Sequence, residues 1–322
     1  MATILEEISS IGIVPVIKID DVEKAVPLAK ALVAGGIPCA EITFRTEEGV
    51  ESIRRISEAV PECLVGAGTV LTTAQVDKAI SVGAKFVVSP GFNPTVVAYA
   101  QEKNMPIFPG CACPSDMEKA IEMGLKVVKF FPAEQSGGLA FIKAVAAPYP
   151  MLRFMPTGGI NAANIGSYLA FDKIVACGGS WMVKADLINA GDFDEITRLC
   201  SEAVEKMLGF ELMHVGINTD APEQSVGICE GFKSMFGFET KVGNSSDFAS
   251  RYVEIMKTKR FGEHGHLAIG TNDIERARAY LARKGFTFRP ETETRDTKGK
   301  LIAIYLQQEL GGFAIHLLRK PN

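Results

Sequence analysis

A chain of 322 residues is long enough for two domains of ordinary size. Its apolar (47%) and charged (22%) fractions are those of a globular protein, and a formal net charge of −4 gives no electrostatic footprint for nucleic acid or an anionic membrane. Seven scattered cysteines suit reduced thiols in a cytoplasmic setting, no apolar run reaches membrane-spanning length, and the first residues lack the basic-then-apolar texture of a secretory signal.

Short apolar, β-rich runs recur through the first two-thirds of the chain, at 11–19, 38–44, 63–70, 84–90, 105–112, 126–133, 153–159 and 173–179. Amphipathic stretches such as DDVEKAVPLAKALVAGG and TTAQVDKAISVGA separate them. Each opens on an acidic or hydroxyl residue, and most close on glycine. Eight strands alternating with helices predict an α/β fold, a (β/α)8 TIM barrel over residues 1–208. A doubly wound open sheet shares the alternation but not the even spacing and the count of eight. Cys111 and Cys113 fall on one face of the fifth run, where two small buried side chains are expected rather than a metal site.

A last helix ends near Phe210, and the texture then changes. MHVGINT (213–219) is answered by GHLAIGT (265–271), EQSVGICEGFKSMFGFET (223–240) by DIERARAYLARKGFTF (273–288), and YVEIMK (252–257) by AIHLLR (314–319). This internal repeat predicts a smaller α+β domain over 212–322, built of two β-α-β-β-β modules. The first module is short between its helix and its last strand, so one strand is expected to be lost or irregular there.

Barrel active sites lie at the C-terminal ends of the strands. Lys129 sits inside the run VVKFFP, where lysine is rarely buried without a partner. Glu41 lies on another otherwise apolar strand. The two could be a structural ion pair, or a lysine whose head escapes at the strand end. They are also what amine catalysis needs. Desolvation pulls a lysine pKa from about 10.4 towards 7–8, so that a neutral amine can attack a ketone while a carboxylate moves protons. TGGI and CGGS end the seventh and eighth runs. Glycine there serves tight turns, or lets backbone N–H groups approach a phosphate or carboxylate. Ser180 adds a hydroxyl donor, and Arg45 is suited to a bidentate carboxylate contact.

With these residues in place, AEITFRT, GAGTV, VSPGF, KFFPAE, PTGGI and GGSWM resemble the class I aldolases that cleave 2-keto-3-deoxy-6-phosphogluconate (KDPG) and 4-hydroxy-2-oxoglutarate (KHG). The resemblance covers about residues 1–208. It implies a trimeric barrel enzyme with a small 2-keto acid substrate and no metal cofactor. Lys129 would form the Schiff base, and Glu41 would be the general acid and base. Arg45, Thr69 and Thr157 would hold the pyruvyl carboxylate and neighbouring oxygens, and Pro90 and Phe131 would shape the pocket. Gly158, Gly159, Gly179 and Ser180 would take a distal phosphate. Cys113 stands where the family usually has threonine. A phosphate-binding isomerase or epimerase is the alternative for the glycine pairs, though it leaves the lysine and glutamate unexplained.

All four histidines lie in the second domain. The repeat aligns His214 with His266 and Glu254 with His316, and a sheet curved by two-fold pseudosymmetry can gather these positions. Three imidazoles and a carboxylate suit a divalent transition metal; ordinary strand histidines on an inherited scaffold are the plainer alternative. Residues 212–322 resemble the vicinal-oxygen-chelate (glyoxalase-like) superfamily, through a strand histidine, MFGFE and GGFAIHLLR. That superfamily usually has glutamate where His316 stands. The resemblance implies a metal-dependent enzyme or a metabolite-binding regulatory module.

Overall fold

A computed structural model of the chain describes residues 3–321. It divides into two compact units, Met1–Met207 and Leu208–Asn322. In the first unit eight parallel strands form a ring. They are β1 (Ile13–Ile17), β2 (Cys39–Thr43), β3 (Leu64–Gly68), β4 (Val87–Val88), β5 (Ile107–Phe108), β6 (Val127–Phe130), β7 (Arg153–Pro156) and β8 (Cys177–Gly179). Hydrogen-bonded neighbours run β5-β4-β3-β2-β1-β8, with β6 beside β7. Bridges Gly110–Lys129, Phe154–Ile174 and Thr157–Gly178 join β5 to β6 and β7 to β8, closing the barrel.

Every strand is shorter than its apolar run. The fourth run, 84–90, keeps only Val87 and Val88 in the ladder. The runs overshoot because residues leading into and out of a barrel strand are buried too, so apolarity does not mark where pairing stops. The first run also starts too early. Ile11 ends a helix, Ile4–Ile11, which opens with a reciprocal cap between Thr3 and Glu6 and buries Ile8 and Ile11. The helix Thr73–Ser81 carries the same device, with Thr72 and Gln75 each accepting from the other's backbone N–H.

On β6, Phe130 faces outward and stacks on Phe141 of the helix Gly138–Ala146, with ring centroids 5.4 Å apart and planes 11° apart. Strand alternation therefore turns Lys129 into the barrel. The cysteine expectation fails at Cys113. Cys111 is buried, but Cys113 is exposed and caps the helix Pro114–Glu122, so the two do not share a strand face. The Pro-Ser-Asp sequence that follows Cys113 starts that helix, and strand β5 has already ended at Phe108.

The second unit contains β9 (Glu211–Ile217), a helix (Pro222–Phe236), β10 (Thr240–Val242), β11 (Ser246–Ala249) and β12 (Val253–Met256). The pattern repeats as β13 (Gly265–Thr271), a helix (Ile274–Arg283), β14 (Thr294–Arg295), β15 (Leu301–Leu310) and β16 (Phe313–Arg319). One eight-stranded sheet results, in the order β10-β11-β12-β9-β13-β16-β15-β14, with β9 and β13 antiparallel at its centre. No strand of the first module is lost. The strands after its helix are short, and the module closes through Asp247, which accepts from Ser225 Oγ (2.6 Å), Gly243 N (3.1 Å) and Lys257 Nζ (3.1 Å). Burial pushes the Asp247 carboxyl up, but these donors together hold it below the usual carboxylate range.

Candidate active site

The barrel interior holds Glu41 and Thr43, two residues apart on β2 and therefore on one face. Lys129 Nζ lies 3.2 Å from Glu41 Oε1, with side chains 6% and 1% exposed. That burial excludes the reading of a lysine whose head reaches solvent. Room for the carboxylate comes from β3. A Cβ on Gly68 would stand 2.4 Å from Glu41 Oε1, and one on Gly66 would strike the Phe86 ring at 2.4 Å. Glu41 Oε2 and Thr157 Oγ1 are buried and have no hydrogen-bond partner among the described residues. Stranding a buried polar atom costs about 1–3 kcal/mol, so two on the strands of one barrel point to a demand other than folding.

Phe131 follows on the same chain segment, its ring centroid 5.3 Å from Lys129 Nζ. Thr69 follows β3 with φ +58°, a left-handed backbone that a β-branched residue rarely adopts. Such conformations concentrate where function constrains the backbone. Pro90 lies just past β4, half-buried. Arg45 is exposed at the end of β2, and its Nε donates to Thr43 Oγ1 at 3.1 Å. Thr43 in turn donates to the Ile17 carbonyl at 2.8 Å. Arg45 is thus aimed by a buried threonine rather than left as a free surface cation.

Gly158 and Gly159 have φ of +100° and +78°, which only glycine adopts easily. The N–H groups of Gly159 and Ser180 donate to no protein acceptor among the described residues. Gly179 is buried under Trp181, whose ring would meet an added Cβ at 2.0 Å. Reading the sequence missed three participants here. One is Thr43. The others are Glu134 and Tyr168: the tyrosine hydroxyl donates to Glu134, whose chain packs where a Cβ on Gly159 would sit. Glu134 stands in the motif KFFPAEQ, but nothing in the sequence links it to a tyrosine on another helix.

In the second unit the three predicted histidines cluster, with Glu254 against two of them. One ring nitrogen from each of His214, His266 and His316 lies within 4.8 Å of the others. Glu254 Oε2 is 3.1 Å from His214 Nε2 and 3.0 Å from His266 Nε2. Burial pushes the Glu254 carboxyl up, but hydrogen bonds with His214, His266 and Ser246 dominate and hold it well below the usual range. Burial, then the neighbouring imidazoles, push His316 down to about 3. Its Nε2 is buried without a hydrogen-bond partner among the described residues. Three clustered ring nitrogens, one of them orphaned on His316, with an ionised carboxylate against the other two, fit a divalent transition metal. Gly216 makes the cluster fit, since a Cβ there would meet the His266 ring at 2.1 Å. The fourth histidine, His264, lies apart, against Phe313.

The family described as KDPG and KHG aldolase matches residues 4–199. A 2-dehydro-3-deoxy-phosphogluconate aldolase of Treponema pallidum is 49% identical over 205 residues, spanning 64% of this chain and 98% of its own. The KHG/KDPG aldolase of Escherichia coli K12 is 47% identical over 204 residues, spanning 63% and 96%. A solved structure of the KDPG aldolase from Legionella pneumophila, with pyruvate captured as a covalent carbinolamine, is 36% identical with a TM-score of 0.60, over 62% of this chain and 97% of that one. Barrel, buried amine and facing carboxylate define a class I aldolase, a carbon–carbon lyase. The isomerase or epimerase alternative finds no support among these relatives. The chain belongs to the KDPG and KHG aldolase family.

Proposed function

We propose that the N-terminal unit cleaves KDPG to pyruvate and glyceraldehyde 3-phosphate, and 4-hydroxy-2-oxoglutarate to pyruvate and glyoxylate, through a Schiff base on Lys129. The observation that carries this is the buried Lys129–Glu41 contact at 3.2 Å, in a unit 49% and 47% identical, over 205 and 204 residues, to aldolases named for these substrates. The Lys129 amine adds to the C2 ketone and loses water to give a protonated imine. Glu41 takes the C4 hydroxyl proton, the C3–C4 bond breaks, and its electron pair passes to the imine as an enamine while the aldehyde leaves. Glu41 returns a proton to C3, and water releases pyruvate and the free amine.

Arg45, aimed by Thr43, holds the pyruvyl carboxylate with Thr69 and Thr157. Pro90 and Phe131 form the walls. Gly158, Gly159, Gly179 and Ser180 cradle the distal phosphate, with Glu134 and Tyr168 bracing the glycine turn. We further propose a homotrimer through the barrel, in the cytoplasm; among the described residues no helix is long and apolar enough to cross a membrane. The purified chain should form pyruvate from both substrates, with higher kcat/KM for KDPG because the cradle has a phosphate to engage. Pyruvate from neither substrate overturns the proposal.

The histidine–glutamate cluster favours a second reading for the C-terminal unit. We infer a vicinal-oxygen-chelate module in which His214, Glu254, His266 and His316 hold one divalent transition metal. Such an ion, when bound, supplies Lewis-acid polarisation of an oxygen ligand. Metal analysis of the purified chain should find about one equivalent, sharply reduced in His266→Ala. No uptake by the wild-type chain defeats this reading.

A further inference from the structure

The segment after β7 reads TGGINAAN (157–164) and leads into a short helix, Ile165–Leu169. Asn164 stands at the N-cap position of that helix, where an asparagine oxygen ordinarily accepts from a backbone N–H of the first turn. It makes no such bond. Its side chain is turned back instead. Oδ1 accepts from Asn161 N at 2.9 Å, and Nδ2 donates to the Gly159 carbonyl at 3.0 Å. Only the oxygen of an amide can accept from an N–H, so the nitrogen is the end that faces Gly159. Asn161 sends its own Nδ2 to the same carbonyl, at 3.2 Å, while its Oδ1 accepts from Ala163 N at 2.9 Å. Two side-chain amides, each with both ends engaged, hold one glycine oxygen.

A trans peptide points its C=O and N–H in opposite directions. The Gly158 carbonyl accepts from Glu134 N at 3.1 Å, which turns the Gly159 N–H the other way. The clamp on the Gly159 carbonyl does the same for the Ile160 N–H. Neither N–H has an acceptor among the described residues, although Ile160 is only 5% exposed. Successive N–H groups left bare in a turn form a concavity that suits an anion.

We propose that Asn161 and Asn164 are positioning residues that set the preference of the barrel site for a phosphorylated over an unphosphorylated 2-keto acid. The inference rests on the aldolase reading above. Glycines at φ +100° and +78° have many other conformations open to them, so an unclamped turn would present these N–H groups only part of the time. Affinity falls with the fraction of molecules in the competent arrangement. Holding the Gly159 carbonyl removes that loss before the ligand arrives. The benefit reaches only a substrate long enough to touch the turn. In KDPG the phosphate hangs two carbons beyond C4, whereas 4-hydroxy-2-oxoglutarate ends in a carboxylate bonded to C4 itself. The clamp therefore acts on one substrate and spares the other, and it acts on binding rather than on C3–C4 cleavage.

The full chain is assayed with both substrates as wild type, Asn164→Ala and Asn161→Ala. Asn164→Ala should raise KM for KDPG by roughly fivefold or more with kcat within about twofold, and should leave kcat/KM for 4-hydroxy-2-oxoglutarate within about twofold. Inorganic phosphate should compete with KDPG for the wild-type chain, with a Ki raised by a similar factor in the variant. Asn161→Ala, at an exposed position, should shift KDPG alone and in the same direction. Borohydride trapping with pyruvate, which is too short to reach the turn, should be as fast in both variants as in wild type. A merely structural role would depress both substrates together. Such a common loss, or a smaller rise in the KDPG KM of Asn164→Ala, overturns the inference and leaves the aldolase reading standing. Should Asn164→Ala fail to fold, an unchanged ratio of the two kcat/KM values in Asn161→Ala overturns it. A wild-type chain that cleaves neither substrate overturns both.

Discussion

Treatment of the purified chain with pyruvate and borohydride should reduce an imine onto Lys129 and no other lysine, and Lys129→Ala should lose cleavage by roughly 10⁴-fold or more, about 5 kcal/mol of barrel-borne stabilisation of the reaction. Lys18, for comparison, is 44% exposed and pairs with Asp20 at the surface, where water solvates it freely. Lys129 is 6% exposed and emerges from a strand buried on both faces. Its one polar side-chain contact among the described residues is Glu41 Oε1, which gives the amine a place to deliver and recover a proton during carbonyl addition. Mass mapping of the reduced adduct settles the site. A label on another lysine, or substantial turnover by Lys129→Ala, would falsify the assignment.

Glu41→Gln should lower kcat by roughly 10²–10⁴, the usual contribution of a positioned acid or base. The amide keeps the shape and can still accept from Lys129, so the variant should fold and still be trapped by borohydride, more slowly. Gly68→Ala should act in the same direction by a different route. Its Cβ would stand 2.4 Å from Glu41 Oε1 and 2.7 Å from its Cγ, so the carboxylate must move away from the amine. Crowding of this kind costs folding about 1–3 kcal/mol, which a melting curve reports separately from kcat. If the glutamine variant turns over within tenfold of wild type, Glu41 is a structural partner of Lys129 and no more.

Legibility in the sequence followed the range of each interaction. Lys129 and Glu41 stood out because a charge in an apolar run is visible locally. The histidine tetrad was readable because the internal repeat supplied the alignment that brings distant strands together. Thr43 was hidden by being an ordinary strand residue, and only its 3.1 Å contact with Arg45 gives it a task. Glu134 and Tyr168 meet across 34 residues, which no local pattern encodes. Gly216 looked like any strand glycine, yet it clears the space for the His266 ring. Cys113 misled because a run of small residues continues past the end of β5 into a helix cap.

The chamber owes its volume to side chains that are missing. Gly66 and Gly68 on β3 yield to Phe86 and Glu41, and Gly178 on β8 yields to Thr157, whose Oγ1 would be 2.2 Å from an added Cβ. For anyone redesigning this catalyst, that separates two kinds of position. Libraries that vary the three glycines would fill the cavity from within and discard chemistry together with selectivity. Ser180, exposed at the rim, can be randomised to accept new aldehydes while the amine, its proton carrier and Arg45 stay where the strands put them.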